Sequence, residues 1–174
     1  MTLATELLPL AKQQMNITFS DDDMLITAHL NWAISFCQNE SGWIIQGGDL
    51  PWQPVATGVS AKSAYPVPYR PVSGFVVTSG GVDVSDQYEI ENGDTRISPI
   101  WLVHIDGTPF PADANVLLTV GYDDPDLMPP EFQAAILRMT SALYENRGSI
   151  TAISLDTVPH WFRDLLQGVW VPRA

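Results

Sequence analysis

The chain has 174 residues, 45% of them hydrophobic, which is enough apolar material for one domain with a real core and too much for global disorder. Its formal net charge of −12 is spread evenly, with 1 basic against 6 acidic residues in 1–50, 3 against 7 in 51–120 and 4 against 7 in 121–174. No segment therefore offers the Lys/Arg stripe that holds a phosphate backbone, which speaks against a protein that grips nucleic acid; an acidic surface suits only DNA that must slide past.

Leu3, Leu7, Leu8 and Ala11 recur at helical spacing and predict a short helix over 3–14, with Pro9 awkwardly placed inside it. A second helix is better marked. Ser20 is its expected N-cap, and Asp21, Asp22 and Asp23 put negative charge at the positive end of the helix dipole. Leu25, Ala28, Trp32 and Phe36, with Met24, Ala33 and Cys37 beside them, form its apolar stripe, and Ser41-Gly42 marks its end.

From 43 to 121 the pattern changes. Pro51, Pro54, Pro66, Pro68 and Pro71 break the early part into extended, turn-rich chain. Four strand-like runs follow, at 74–78, 87–91, 100–105 and 116–120, separated by the turn signals Gly80-Gly81, Asn92-Gly93-Asp94 and Asp106-Gly107. They predict a small antiparallel sheet. Helical spacing returns after Pro129-Pro130 with Phe132, Ala135, Ile136, Met139, Ala142 and Leu143, and Arg147-Gly148 suits its end. A last short helix is expected from about Pro159 to Gln167, with Phe162, Leu165 and Leu166 on one face and Gly168 as its stop.

Short helices are marginal alone, so the first and last quarters are expected to pack together. The fold class is α+β: a small helical bundle of about four helices with an inserted antiparallel β region. The expected division is N-terminal bundle helices in 1–45, a β-rich insert in 46–121, and C-terminal helices with a tail in 122–174.

Residues that could carry chemistry are few. His29, His104 and His160 show no metal-ligand spacing and read as structural. Cys37, the single cysteine, cannot form an internal disulfide; beside the apolar stripe it reads as a small buried hydrophobe, not a nucleophile. Asp123, Asp124 and Asp126 lack the Gly and terminal Glu of a calcium loop and read as a solvated loop capping the following helix. Gly80-Gly81 opens no helix, so it is a turn and not a phosphate cradle. The Asp21/Asp22 pair reads as helix-start residues. No catalytic, cofactor or metal set emerges, and an enzyme is not expected. Neither a signal peptide nor a run of 18 apolar residues is visible, so a soluble chain made in the cytosol is expected. The tail Gly168-Val169-Trp170-Val171-Pro172-Arg173 is apolar and follows the last helix; it either meets a partner or folds back on its own bundle.

Several segments together resemble one family. Ser20-Asp21-Asp22-Asp23-Met24-Leu25 opens a helix after a short first one; Leu50-Pro51 and Pro54-Val55 enter the insert. Val120-Gly121-Tyr122 leaves it, followed by an acidic loop, Pro129-Pro130, Ala134-Ala135-Ile136-Leu137 and Leu143-Tyr144-Glu145-Asn146-Arg147-Gly148; Val158-Pro159 with Leu165-Leu166 closes the chain. This resembles the head–tail connector (adaptor, head completion) family of tailed bacteriophages, most specifically over 118–148. The resemblance implies a virion neck subunit in a homo-oligomeric ring, typically of twelve, between the portal protein and a tail terminator or tail completion protein, with DNA only passing through the channel and no membrane partner. It implies portal binding by Val169, Trp170, Val171, Pro172 and Arg173, and subunit contacts through Trp32, Phe36, Arg138, Tyr144 and Arg147. Other neck or tail completion proteins, a small enzyme and an acidic regulatory module are the competing readings.

Overall fold

A computed structural model describes residues 2–54, 61–91, 99–146 and 160–166. The expected turn at Asn92-Gly93-Asp94, the helix end at Arg147-Gly148, Pro159, and the tail from Gln167 lie outside them. The chain forms two compact units, one of residues 1–46 with 122–174 and one of residues 47–121.

The first unit holds four α-helices among the described residues: α1 (Leu3–Gln14), α2 (Asp23–Ser41), α3 (Pro130–Glu145) and α4 (His160–Leu166). In α1 the spacing Leu3, Ala4, Leu7, Ala11 puts every buried side chain on one face. The helix runs on through Pro9 because the carbonyl left without a donor, that of Thr5, belongs to an exposed residue that water can reach. It ends on Asn16 in the left-handed region (φ 55), with Ile17 N–H donating to Lys12 O (2.9 Å) and Asn16 N–H to Gln13 O (3.2 Å), the paired bonds of a Schellman end.

The N-cap of α2 is Asp22, not the expected Ser20. The Ser20 carbonyl instead accepts from Asp23 N–H (3.1 Å), so a turn intervenes before the helix starts. Asp22 makes no side-chain cap bond. Lys12 Nζ donates to Asp23 Oδ1 (2.5 Å), tying the end of α1 to the start of α2. Gly42 closes α2 at φ 75, a conformation costly for any residue with a Cβ, and its N–H donates to Gln38 O.

The expected stripe of α2 meets the core only in part: Ala33 and Cys37 are buried and Trp32 and Phe36 pack half-buried against it, while Met24, Leu25 and Ala28 do not. The buried positions are Ile26, Leu30, Ala33, Ile34, Cys37 and Ser41, centred roughly 150° round the helix from Leu25, Ala28, Trp32 and Phe36 at 3.6 residues per turn. On α3 the expected face holds: Phe132, Ala135, Ile136 and Met139 are buried, and buried Thr140 donates to its own Ile136 carbonyl (2.8 Å). Pro130 begins α3, where a missing N–H costs nothing. Phe162 and Leu166 of α4 join Leu7, Leu30, Ile45 and Tyr122 in one continuous core. A bundle of α1, α2, α3 and α4 results, as expected from the first and last quarters packing together.

The second unit contains two antiparallel sheets where one was expected. β1 (Gly48–Trp52), β3 (Val72–Ser79), β4 (Val82–Asp83) and β7 (Asn115–Val120) form the first, in the order β1-β7-β3-β4. β2 (Ala64–Val67), β5 (Tyr88–Glu91) and β6 (Ile100–His104) form the second, in the order β2-β6-β5. The four expected runs correspond to β3, β5, β6 and β7. β1 and β2 lack a legible strand pattern because Pro51 and Pro66 sit inside them; both are edge strands, where a residue without N–H is tolerated. Gly80 and Gly81, at φ 58 and 79, make the β3–β4 turn. Asp113 fastens it, accepting from Ser79 Oγ (2.9 Å) and Gly80 N–H (2.7 Å), which hold the carboxylate below its usual pKa range. In the first sheet Val77, Val116, Leu118 and Val120 are buried; in the second Val67, Tyr88, Ile100, Leu102 and His104 are. The observed class is α+β, a four-helix bundle with an inserted antiparallel β region, as expected.

Candidate functional site

The most unusual feature of the first unit is that α2 is apolar on two sides. Its second stripe is shared between a covered and an open half. Trp32 and Phe36 stack (centroids 5.1 Å apart, planes at 10°), and Phe36 meets Phe162 of α4 (5.1 Å). They are half-buried against their own core. Met24, Leu25 and Ala28, toward the start of the same stripe, are exposed: Met24 keeps 87% of its surface and Leu25 36%, with Phe19 in the preceding loop at 51%. The start of α2 therefore shows apolar side chains to solvent.

The other residues expected at subunit contacts divide. Tyr144, near the end of α3, donates its hydroxyl to Asp22 Oδ2 (2.5 Å), joining the end of α3 to the start of α2 within one chain. Arg138 is exposed on α3. Arg147 and the portal-binding set Val169, Trp170, Val171, Pro172 and Arg173 lie outside the described residues. Trp32, Phe36 and Tyr144 thus spend much of their surface inside the bundle, and the open part of α2 holds none of the residues expected at subunit contacts. The signal was present in the sequence: α2 carries two apolar stripes, and only tertiary packing says which is covered.

The histidines lie on different elements, α2, β6 and α4. His104 of β6 is buried with its ring edge against Tyr88 (4.9 Å); Asp106 N–H donates to Nδ1 (3.2 Å), so Nε2 carries the hydrogen toward Thr108 Oγ1 (2.8 Å). These bonds anchor the turn at Gly107. His29 of α2 has no hydrogen-bond partner at Nε2 among the described residues, and burial pushes its pKa down. His160 opens α4. Cys37 is buried in the bundle core, and burial raises its thiol pKa to about 12, which makes it inert as a nucleophile.

Asp123, Asp124 and Asp126 form an exposed loop. Asp124 Oδ1 accepts from Asp126 N–H (2.9 Å) and caps the single 3-10 turn Pro125–Leu127; it does not cap α3, whose N-cap is Pro129. Among the described residues no group of three or more His, Cys, Asp or Glu is placed to hold a metal ion, and no helix is long and apolar enough to cross a membrane.

No protein-family model and no curated protein matches the sequence. Solved structures do match in fold. A chain in the neck of an empty GTA particle with C6 symmetry superposes at a TM-score of 0.72 and 12% identity, over 100% of this chain and 97% of that one. One in the neck of a native GTA particle with C12 symmetry gives 0.71 and 10%, over 99% and 92%. A third, in the virion of a native gene transfer agent particle, gives 0.67 and 15%, over 99% and 93%. At these identities the likeness is one of fold, and it spans both units.

Proposed function

We propose that this chain is a structural neck subunit of a tailed phage, prophage or phage-like particle: a head–tail connector that forms a ring between the portal protein and the tail terminator or completion protein. The observation that carries the reading is that its fold, bundle and β insert together, matches along its whole length chains from the necks of gene transfer agent particles. Loose similarity of an isolated four-helix bundle would carry far less, because bundles recur without common function.

The ring is proposed as twelvefold; the C6 and C12 symmetry of the matched necks supports this number and its divisor. Identical copies close a ring through heterologous contacts, in which one patch meets a different patch on the next copy. The open half of the α2 stripe, Met24, Leu25 and Ala28, supplies one such patch. The tail 168–174 engages the portal, with Val169, Trp170, Val171, Pro172 and Arg173 as its contacts. Weak single contacts become firm when repeated round a ring. The net charge of −12 suits a channel that lets DNA pass without holding it. In this role the chain performs no catalysis and needs no cofactor.

The test is the mass of the purified chain in solution, alone and mixed with portal rings from its own genome. A monomer that joins the portal in stoichiometric rings is the expected result. A stable small oligomer indifferent to portal rings refutes the connector assignment. Removing 168–174 leaves a folded chain that no longer joins the portal; normal attachment of the truncated chain refutes the role given to the tail.

A further inference from the structure

A half-solvated antiparallel sheet alternates apolar residues inward with polar residues outward. Strand β7 departs from this at one outward position: Val116, Leu118 and Val120 are buried and Asn115 and Thr119 face outward, but so does Leu117, 41% exposed. Strand β6 departs from it at every outward position. Its inward side chains are Ile100, Leu102 and His104, all buried. Its outward ones are Trp101, Val103 and, one residue past the strand, Ile105, whose N–H still bonds Gln87 O (2.9 Å). Trp101 keeps 36% of its surface exposed and Ile105 56%, with Val103 half-buried between them. The central strand of the β2-β6-β5 sheet is therefore apolar on both faces.

The neighbours on that outer face follow from the strand register. Trp101 pairs with Glu91 on one side and Pro66 on the other, and Val103 pairs with Glu89 and Ala64. Paired residues point to the same face with Cβ atoms about 5 Å apart. The face is thus an apolar strip of Trp101, Val103, Ile105, Ala64 and Pro66, rimmed along β5 by two exposed glutamates. Among the described residues no side-chain hydrogen bond or ion pair engages Glu89, Glu91 or Trp101. The paired positions bring two carboxylates and no cation to this face.

We propose that the outer face of the β2-β6-β5 sheet docks a segment of another protein that presents aliphatic side chains to Trp101, Val103 and Ile105 and an arginine to Glu89 and Glu91. Charge complementarity selects this occupant. A guanidinium stacks on an indole face while it forks onto a carboxylate, and Trp101 stands directly beside Glu91. Nucleic acid is excluded by the sign of the rim. A second copy of this chain is a poor source of that arginine, with 8 basic residues against 20 acidic ones. Strand addition is hindered at the β2 edge by Pro66 and at the β5 edge by the charged side chains of Glu89 and Glu91, so the docking is face-on. The surface stands on its own register and burial, apart from the ring reading.

The test uses the full chain, uniformly ¹⁵N-labelled, with the Trp101 indole signal assigned through Trp101→Phe. The probes are three capped pentapeptides, Leu-Arg-Val-Arg-Leu, Leu-Gln-Val-Gln-Leu and Leu-Glu-Val-Glu-Leu. The arginine peptide shifts the Trp101 signal and binds about five- to tenfold more tightly than the glutamine peptide, and the glutamate peptide does not bind. Glu89→Gln with Glu91→Gln abolishes the preference for arginine. Asp123→Asn with Asp124→Asn, the same change in net charge elsewhere, leaves it intact. The proposal is overturned if the arginine peptide leaves Trp101 unmoved, if the two neutralised pairs weaken binding equally, or if the Trp101 signal shifts with protein concentration alone, which would assign the face to a second copy.

Discussion

Replacing Met24 and Leu25 together by serine separates folding from assembly, because the two side chains sit on the stripe of α2 that the bundle leaves open. Met24 keeps 87% of its surface in the single chain, so folding gains almost nothing from it. Closing a neighbour over the whole side chain is worth about 2 kcal/mol, at the usual value for an apolar side chain taken out of water. Leu25 has 36% of its surface left to bury, which contributes about 0.5 kcal/mol more. Loss of about 2.5 kcal/mol per subunit contact corresponds to roughly seventyfold in the contact equilibrium constant. Urea unfolding of the variant should stay within about 1 kcal/mol of the parent, the difference being the poorer helix propensity of serine. Sedimentation velocity with portal rings should then show half-saturation displaced to roughly seventyfold higher concentration. A variant that assembles normally refutes the assignment of this face to subunit contact. A variant that loses several kcal/mol of stability shows that the stripe belongs to the fold.

Leu30, fully buried on the opposite stripe, gives the converse result: Leu30→Ala costs about 3 kcal/mol in urea unfolding, from lost burial and the cavity left behind. Tyr144→Phe removes the hydroxyl that donates to Asp22 and lowers stability by about 1 kcal/mol, read by the same assay. Gly42→Ala forces a Cβ into a backbone at φ 75 and costs about 1 kcal/mol, although nothing lies within 4 Å of the added atom. Cys37 should resist alkylation by iodoacetamide at pH 8 in the folded chain and react at once in urea. A thiol raised from 9.0 to about 12 holds about a thousandfold less thiolate there. The same shift makes stability fall as pH rises above 9, where the unfolded thiol ionises and the folded one does not.

The helices were legible because each carries its own local signals. Leu3, Leu7 and Ala11 mark α1, Gly42 ends α2, and Pro130 with the Phe132–Met139 spacing opens α3. Those signals depend on residues within one or two turns, so the order helix, helix, strands, helix, helix could be read without tertiary knowledge, and with it the α+β class. What a helix faces is a different matter. α2 has apolar residues on two sides, and its local sequence does not say whether Ile26 and Leu30 or Leu25 and Ala28 meet the core; only the packing of α1 and α3 decides it. The cap of α2 moved from Ser20 to Asp22 for a related reason: the Lys12–Asp23 and Tyr144–Asp22 contacts, made by residues from other helices, set where it starts. The prolines of β1 and β2 hid two strands because whether a strand lies at an edge is a property of the assembled sheet. The run from Ile100 to Ile105 was legible as a strand, but that it is central, has glutamates beside its tryptophan and leaves its second apolar face open follows from strand register. Local chemistry thus determined the elements, whereas which apolar faces are covered and which remain for partners was decided by long-range packing, since burial is settled only by what the rest of the chain brings alongside.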